Sequence, residues 1–264
     1  MKVHINEKLY DIHEAMTLHE AADIYKPGAS VFVLNGMARG SDTVLQEGDR
    51  LVLIRLGEMP SAEELASMLT ARNSPGVYDV LRNATVGIAG LGGLGSHVAA
   101  ALVRMGTGKL IGADFDIVEP SNINRQNYFL DQIGMEKSAA LKATLERISP
   151  LTELELVNVR ITEDNASAFF KGCDVVIEAF DLSYSKIMFF ETWQKHRFSR
   201  FFIGASGVSG YIDKPSITVK KFNEGVYMVG DFTSDPSLGL MASRVSIAAS
   251  MQANLALQLL LGLQ

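Results

Sequence analysis

The sequence predicts an α/β fold: a mostly parallel sheet with helices on both faces, preceded by a small β-rich domain. Three observations carry that expectation. From Thr85 onward, short runs that are apolar on both faces alternate with helical segments, the pattern of parallel strands covered on each side. The first of these runs leads directly into Gly90-Leu91-Gly92-Gly93-Leu94-Gly95-Ser96. Residues 1–57, in contrast, read as short strands grouped around one helix.

Val3 and Ile5 alternate with polar residues, Asn6-Glu7 makes a turn, and Leu9 to Ile12 returns as a second strand. Thr17-x-x-Glu20 has the form of a capping box and starts a helix over Leu18 to Tyr25, which Pro27-Gly28 stops. Val31 to Leu34 runs into Asn35-Gly36, a hairpin signal because both residues tolerate positive φ. Gly48-Asp49 precedes a last strand, Arg50 to Ile54. The order ββαββ is that of a ubiquitin-like β-grasp domain. A boundary is expected near residue 58, giving a first domain over 1–57 and a main domain over 61–264. Ser61-x-x-Glu64 caps a further helix, with Leu65, Met68 and Leu69 on one face, before Asn73-Ser74-Pro75-Gly76 breaks it. Residues 61–82 thus read as a helical arm leading into the main domain.

In the main domain, strands are expected at Thr85–Ala89, Leu110–Ala113, Leu154–Val159, Asp174–Ala179 and Phe201–Ala205, with short ones at Ile217–Val219 and Val226–Val229. Helices are expected at His97–Met105, Gly134–Ile148, Glu163–Phe170 and about Leu240–Leu260. This alternation is Rossmann-like.

The chain of 264 residues is 47% hydrophobic and 20% charged, ordinary for a protein with a real core. Its net charge of −6, with no block of like charges, is a poor match to a nucleic-acid binder and favours a small-molecule or protein substrate. The N-terminus lacks the apolar stretch of a signal peptide, and Leu255–Leu263 is too short to cross a bilayer. A cytoplasmic location with no membrane partner is the expectation. The single cysteine, Cys173, leaves no disulfide framework and no cysteine-rich metal site, and it reads as a small core hydrophobe.

Gly90-x-Gly92-x-x-Gly95 between a strand and a helix lets backbone approach a phosphate at the positive helix end. Asp114, at the end of the next strand, can accept hydrogen bonds from ribose hydroxyls. These features serve NAD and ATP equally. The segment Asp114 to Gln126, DFDIVEPSNINRQ, separates the two. A dehydrogenase has no use for Asn122, Arg125 and Gln126 in that loop, whereas Arg125 can pair with phosphate oxygens, Asn122 and Gln126 are neutral donors, and Lys137 adds a compact cation. Read singly, Arg125 and Lys137 are ordinary surface cations.

Together these pieces, with GMEK (Gly134 to Lys137) and the strand-end acid in EAFD (Glu178 to Asp181), resemble the ThiF/MoeB family of adenylyltransferases over roughly residues 61–264. Residues 1–57 more loosely resemble ThiS, the ubiquitin-like sulfur carrier, through Leu34-Asn35-Gly36 and Gly48 to Arg50. The resemblance implies that Gly90, Gly92, Gly93, Gly95, Asp114 and Asp116 contribute to a nucleotide site in which Asp114 holds the ribose of ATP. It implies that Asn122, Arg125, Gln126 and Lys137 hold the triphosphate, and that Asp181 coordinates Mg2+. Arg125, Lys137 and Asp181 are then the catalytic candidates. Asp181 or Ser183 can instead be read as the cap of the helix that follows. The implied partner is a ThiS-like sulfur-carrier protein ending in Gly-Gly, activated within a homodimer, with the ThiS-like fusion pointing to thiamine biosynthesis. An arginine from one subunit completes its partner's site in the family, and Arg72 is the candidate here, though a solvated helix-end role suits it as well.

Departures from the family pattern are equally legible. Two Cys-x-x-Cys pairs hold zinc in many relatives, and one cysteine cannot, so no zinc is expected. The first domain ends Arg55-Leu56-Gly57-Glu58-Met59-Pro60 and continues into a helix, so it has no free Gly-Gly carboxylate to activate. Two other readings remain: an NAD-dependent oxidoreductase, which leaves Arg125, Lys137 and Asp181 unexplained, and a nucleotide-binding scaffold without turnover.

Overall fold

A computed structural model describes residues 1–212 and 215–263. By internal contacts the chain divides into two units, Met1–Asp79 and Val80–Gln264.

The first unit contains β1 (Lys2–Ile5), β2 (Lys8–Asp11), α1 (Leu18–Tyr25), β3 (Val31–Leu34), β4 (Met37–Ala38), β5 (Arg50–Ile54) and α2 (Ala62–Thr70), and α3 (Val77–Leu81) spans the division. Its sheet has the order β2-β1-β5-β3-β4, with β1 and β5 parallel and the other neighbours antiparallel. The Thr17/Glu20 capping box forms as the spacing predicts. Alternation sends Val3, Ile5, Leu51 and Leu53 to one side of the sheet, where they bury Leu18, Ala21 and Ala22 of α1. The opposite side is also covered: Val33 and Val52 bury Ala71 at the end of α2, with Met68 packed beside them. Glu64 fastens the start of α2, accepting hydrogen bonds from Lys26 Nζ at 2.8 Å and Asn6 Nδ2 at 3.0 Å. The helix following the ThiS-like segment therefore clusters with the first unit.

The second unit alternates strands and helices: β6 (Thr85–Ala89), α4 (Gly93–Met105), β7 (Lys109–Asp114), α5 (Lys137–Glu146), β8 (Glu153–Asn158), α6 (Glu163–Phe169), β9 (Cys173–Glu178), α7 (Ser183–His196), β10 (Ser199–Ala205), β11 (Thr218–Asn223), β12 (Val226–Gly230) and α8 (Ala242–Leu260). The seven-stranded sheet has the order β11-β12-β10-β9-β6-β7-β8, and only β11 runs antiparallel to its neighbour. Residues of α4, α5 and α8 such as Leu102, Leu141 and Ala249 fill one core. Phe170, Phe189, Trp193 and Phe202 fill the other, with Cys173 among them. After β6 the chain adds strands on one side, then crosses to the other with β9. The carboxyl ends of β6 and β9 thus flank the topological switch point, where open α/β sheets place ligands.

Two helix starts differ from the sequence expectation. α4 begins at Gly93, four residues before His97, because packing of its first turn overrides the low helix propensity of glycine. α5 begins at Lys137, since Gly134 has φ +88°, a left-handed turn conformation. No helix among the described residues is long and apolar enough to cross a membrane.

Candidate functional site

The glycine loop is held by close approach. A Cβ at Gly95 would overlap the Gly90 carbonyl oxygen, and one at Gly90 would stand 2.8 Å from the Ala179 carbonyl oxygen. These glycines let the first turn of α4 lie against the end of β6, and the loop against the segment after β9. The N-cap of α4 is Gly92, with no side chain bonded to the first-turn amides, so backbone donors and the positive helix end lie together.

Asp114 closes the loop from the other side. It is 9% exposed, and its Oδ2 accepts from Leu91 N at 2.7 Å while Oδ1 accepts from Asp116 N at 2.9 Å. Burial raises its pKa above the usual carboxylate value, an effect opposed by Lys137 and by the two amide bonds. Lys137, 6% exposed at the start of α5, donates to Asp116 Oδ2 at 2.9 Å. Tyr128 supports the same corner, its hydroxyl donating to the Leu91 carbonyl at 2.7 Å. Asp114, Asp116 and Lys137 are therefore brought together beside the glycine loop.

The loop from Glu119 to Gln126 folds over α4. A 3-10 turn spans Pro120–Asn122, and buried Asn122 accepts from Glu119 N at 3.1 Å through its side-chain oxygen. That oxygen thus shapes the turn. Arg125 Nη1 donates to the Ser121 carbonyl at 2.9 Å and to Asn124 Oδ1 at 3.0 Å, so the guanidinium lies along its own turn. The Arg125 backbone carbonyl lies 3.2 Å from His97 Nε2, and Asn127 N donates to Ser96 Oγ at 3.0 Å, docking the loop on α4. Gln126 extends towards Gly92, with its Nε2 3.7 Å from where a Cβ on that glycine would stand. Its Oε1 is buried and has no hydrogen-bond partner. Such an unsatisfied acceptor is costly and calls for a ligand or water.

Asp181 is exposed on the segment after β9, one residue beyond Phe180, whose N would lie 3.3 Å from a Cβ on Gly90. It does not cap α7: the N-cap is Leu182, with no side-chain hydrogen bond, so neither Asp181 nor Ser183 takes the capping role. Nearby lies a feature that the sequence did not reveal. Glu178, at the buried end of β9, is paired with Lys186 at 2.9 Å. Glu178 lies within the EAFD motif, but its partner is eight positions away on a helix whose extent the sequence left undefined. His97, Ser96 and Tyr128, which position the loops, also escaped sequence reasoning because no local spacing marks them. Cys173 is 4% exposed, and burial pushes its thiol up to about 12, so it is no nucleophile at neutral pH.

Residues 66–264 match the model of the ThiF family, and residues 1–57 match a ThiS-like ubiquitin. The chain is 44% identical over 96 residues to the ubiquitin-like modifier-activating enzyme 5 of Drosophila erecta, a stretch covering 36% of this chain and 24% of that protein. It is 38% identical over 111 residues to the tRNA threonylcarbamoyladenosine dehydratase of Bacillus subtilis (strain 168), covering 41% of this chain and 44% of that one. The matched stretches thus span less than half the length of either relative. Among solved structures, the E. coli dehydratase TcdA in complex with ATP aligns with a TM-score of 0.68 at 20% identity, covering 78% of this chain and 98% of that one. E. coli MccB with ATP aligns at 0.58 and 21% identity, covering 71% of this chain and 58% of that one. These two likenesses are of fold. The family model spans most of the chain, and the chain belongs to the ThiF family, with a ThiS-like ubiquitin domain at its N-terminus.

Proposed function

We propose that the chain uses ATP to adenylylate the C-terminal glycine carboxylate of a separate ubiquitin-like sulfur-carrier protein ending in Gly-Gly, in the service of thiamine biosynthesis. The observation that carries this reading is the meeting of an uncapped helix N-terminus and the Asp114–Asp116–Lys137 cluster at one switch point. Structures of relatives with the same fold hold ATP and AMP, which supports that choice of nucleotide.

In this reading a carrier carboxylate oxygen attacks the α-phosphorus of ATP, the bond to the β-phosphate oxygen breaks, and acyl-adenylate and pyrophosphate form. A carboxylate is already ionised at neutral pH, so the site needs no general base and acts by positioning and charge neutralisation. Asp114 keeps the glycine loop in shape through the Leu91 amide and accepts from ribose hydroxyls. First-turn amides of α4 and Lys137 face the phosphates, and Arg125 exchanges its bonds to Ser121 and Asn124 for phosphate oxygens. Among the described residues no group of three or more metal-binding side chains exists. Asp181, exposed after β9, would hold a Mg2+ brought in with ATP, since such an ion needs only one or two protein carboxylates, and the ion would supply positive charge at the phosphates. Homodimerisation, with exposed Arg72 reaching the partner's site, belongs to the same proposal.

A second reading draws on the Bacillus subtilis relative: activation of a carboxylate on a tRNA nucleoside would begin with the same attack on ATP. The net charge of −6 argues against a tRNA partner. ATP–pyrophosphate exchange decides between them. Exchange that requires a carrier ending in Gly-Gly supports the proposal, and exchange that requires tRNA overturns it. Arg125→Ala should slow carrier-dependent exchange on the order of 10²–10³-fold, the loss typical of one charge-stabilising contact worth about 2.7–4 kcal/mol.

A further inference from the structure

The Glu178–Lys186 pair has no part in nucleotide binding as read above. Glu178 is 1% exposed, and a carboxylate so deeply buried requires partners. Lys186 donates to its Oε1 at 2.9 Å and its Oε2 at 3.2 Å, and also to the Ala205 carbonyl at the end of β10 at 3.2 Å. Phe180 N donates to Oε1 at 2.8 Å, and Ala205 N to Oε2 at 3.4 Å. The backbone carbonyl of Glu178 accepts from Gln252 Nε2 on α8 at 3.2 Å. One carboxylate therefore ties together the ends of β9 and β10 and the first turn of α7.

This bridge closes a loop over residues 179–185. Ala179 and Phe180 at its start back onto Gly90, and Asp181 stands exposed within it. An apolar pair of similar volume would hold the strands without the cost of desolvating two charges, so a buried ion pair is weak grounds for stability. Its contribution is geometric: several directed bonds to one carboxylate fix the turn that presents Asp181.

We propose that Lys186 is a positioning residue, which closes the loop from Glu178 and so holds the Asp181 carboxylate at the glycine loop for metal-bound ATP. The inference rests on the reading that this site takes ATP. It predicts a split, because the loop serves the triphosphate end and leaves the Asp114 and Asp116 end unchanged.

The test is calorimetric titration of the full chain with Mn2+ plus ATP and, separately, with AMP and no metal. Lys186→Met should weaken Mn2+–ATP binding about tenfold or more and leave AMP within about twofold, and Lys186→Arg should restore most of the loss. Since a lone buried Glu178 charge can itself unfold the chain, the double variant Lys186→Met with Glu178→Gln removes both charges. It should fold and show the same split. Equal loss of both ligands, wild-type affinity for Mn2+–ATP, or a double variant that does not fold each overturns the proposal, the last by assigning the pair to stability alone. A wild-type chain that binds neither nucleotide overturns the ATP reading itself and the inference with it.

Discussion

Two glycine turns, one in each unit, differ in what surrounds them. Around Gly90 and Gly95 the neighbouring backbone leaves no room for a Cβ, so glycine is required by close approach. Gly57, at the end of the ThiS-like segment, has φ +77°, and a Cβ placed on it would meet nothing within 4 Å. It serves only backbone conformation. Crowded glycines mark the place where the end of α4 packs against the ends of β6 and β9. The open glycine lies where the ThiS-like segment ends, and the chain goes on to α2, whose Glu64 is fastened by Lys26 and Asn6. One turn is fixed by crowding of backbone against backbone, and the other only by the conformation its own backbone adopts.

Substitution at the crowded turn is the harshest way to break that contrast. Gly95→Val forces α4 away from Gly90, and ATP binding should fall below detection by calorimetry. Retained affinity would show that the close approach is dispensable. A subtler effect comes from Asp114, whose pKa burial raises above its value of 3.8 in the unfolded chain. The folded state therefore binds more protons than the unfolded state over that interval, and wild-type stability declines as pH rises through it. Asp114→Asn keeps an acceptor for the Leu91 amide and removes the titration. Thermal midpoints measured from pH 4 upward should thus fall for wild type relative to the variant, and a pH-independent difference contradicts the burial argument. The smallest effect belongs to the open turn: Gly57→Ala should cost about 1 kcal/mol of stability in denaturant melts, the usual penalty for a left-handed alanine, with ATP affinity unchanged.

What the sequence disclosed divides along a physical line. Signals confined to a few adjacent residues were legible: the Thr17/Glu20 capping box, the Asn35-Gly36 turn, the strand, glycine loop and helix after Thr85, and the acid closing the next strand. Pairings across a turn were not. The Glu178–Lys186 bridge and the buried Asp231–Arg244 pair each join the end of a strand to the helix that follows it, and where the two side chains meet depends on the course of the intervening turn, which no local pattern encodes. Asn122 shows the converse: its place in the loop was visible, but that its oxygen would cap its own turn was not. Similarly, α2 reads as an arm of the main domain by its position in the chain, while Met68 and Ala71 bury themselves on the β-grasp sheet. Its apolar face was evident from spacing, and the surface it would choose was not.

In the function proposed above, the Asp114–Asp116–Lys137 cluster at the glycine loop takes a nucleoside triphosphate. Calorimetric titration of the full chain with ATP and with NAD in parallel tests it most directly. ATP should bind at least about tenfold more tightly than NAD, and Lys137→Ala should erase most of that preference. Tighter binding of NAD, or a preference for ATP that survives loss of the Lys137 charge, would contradict it.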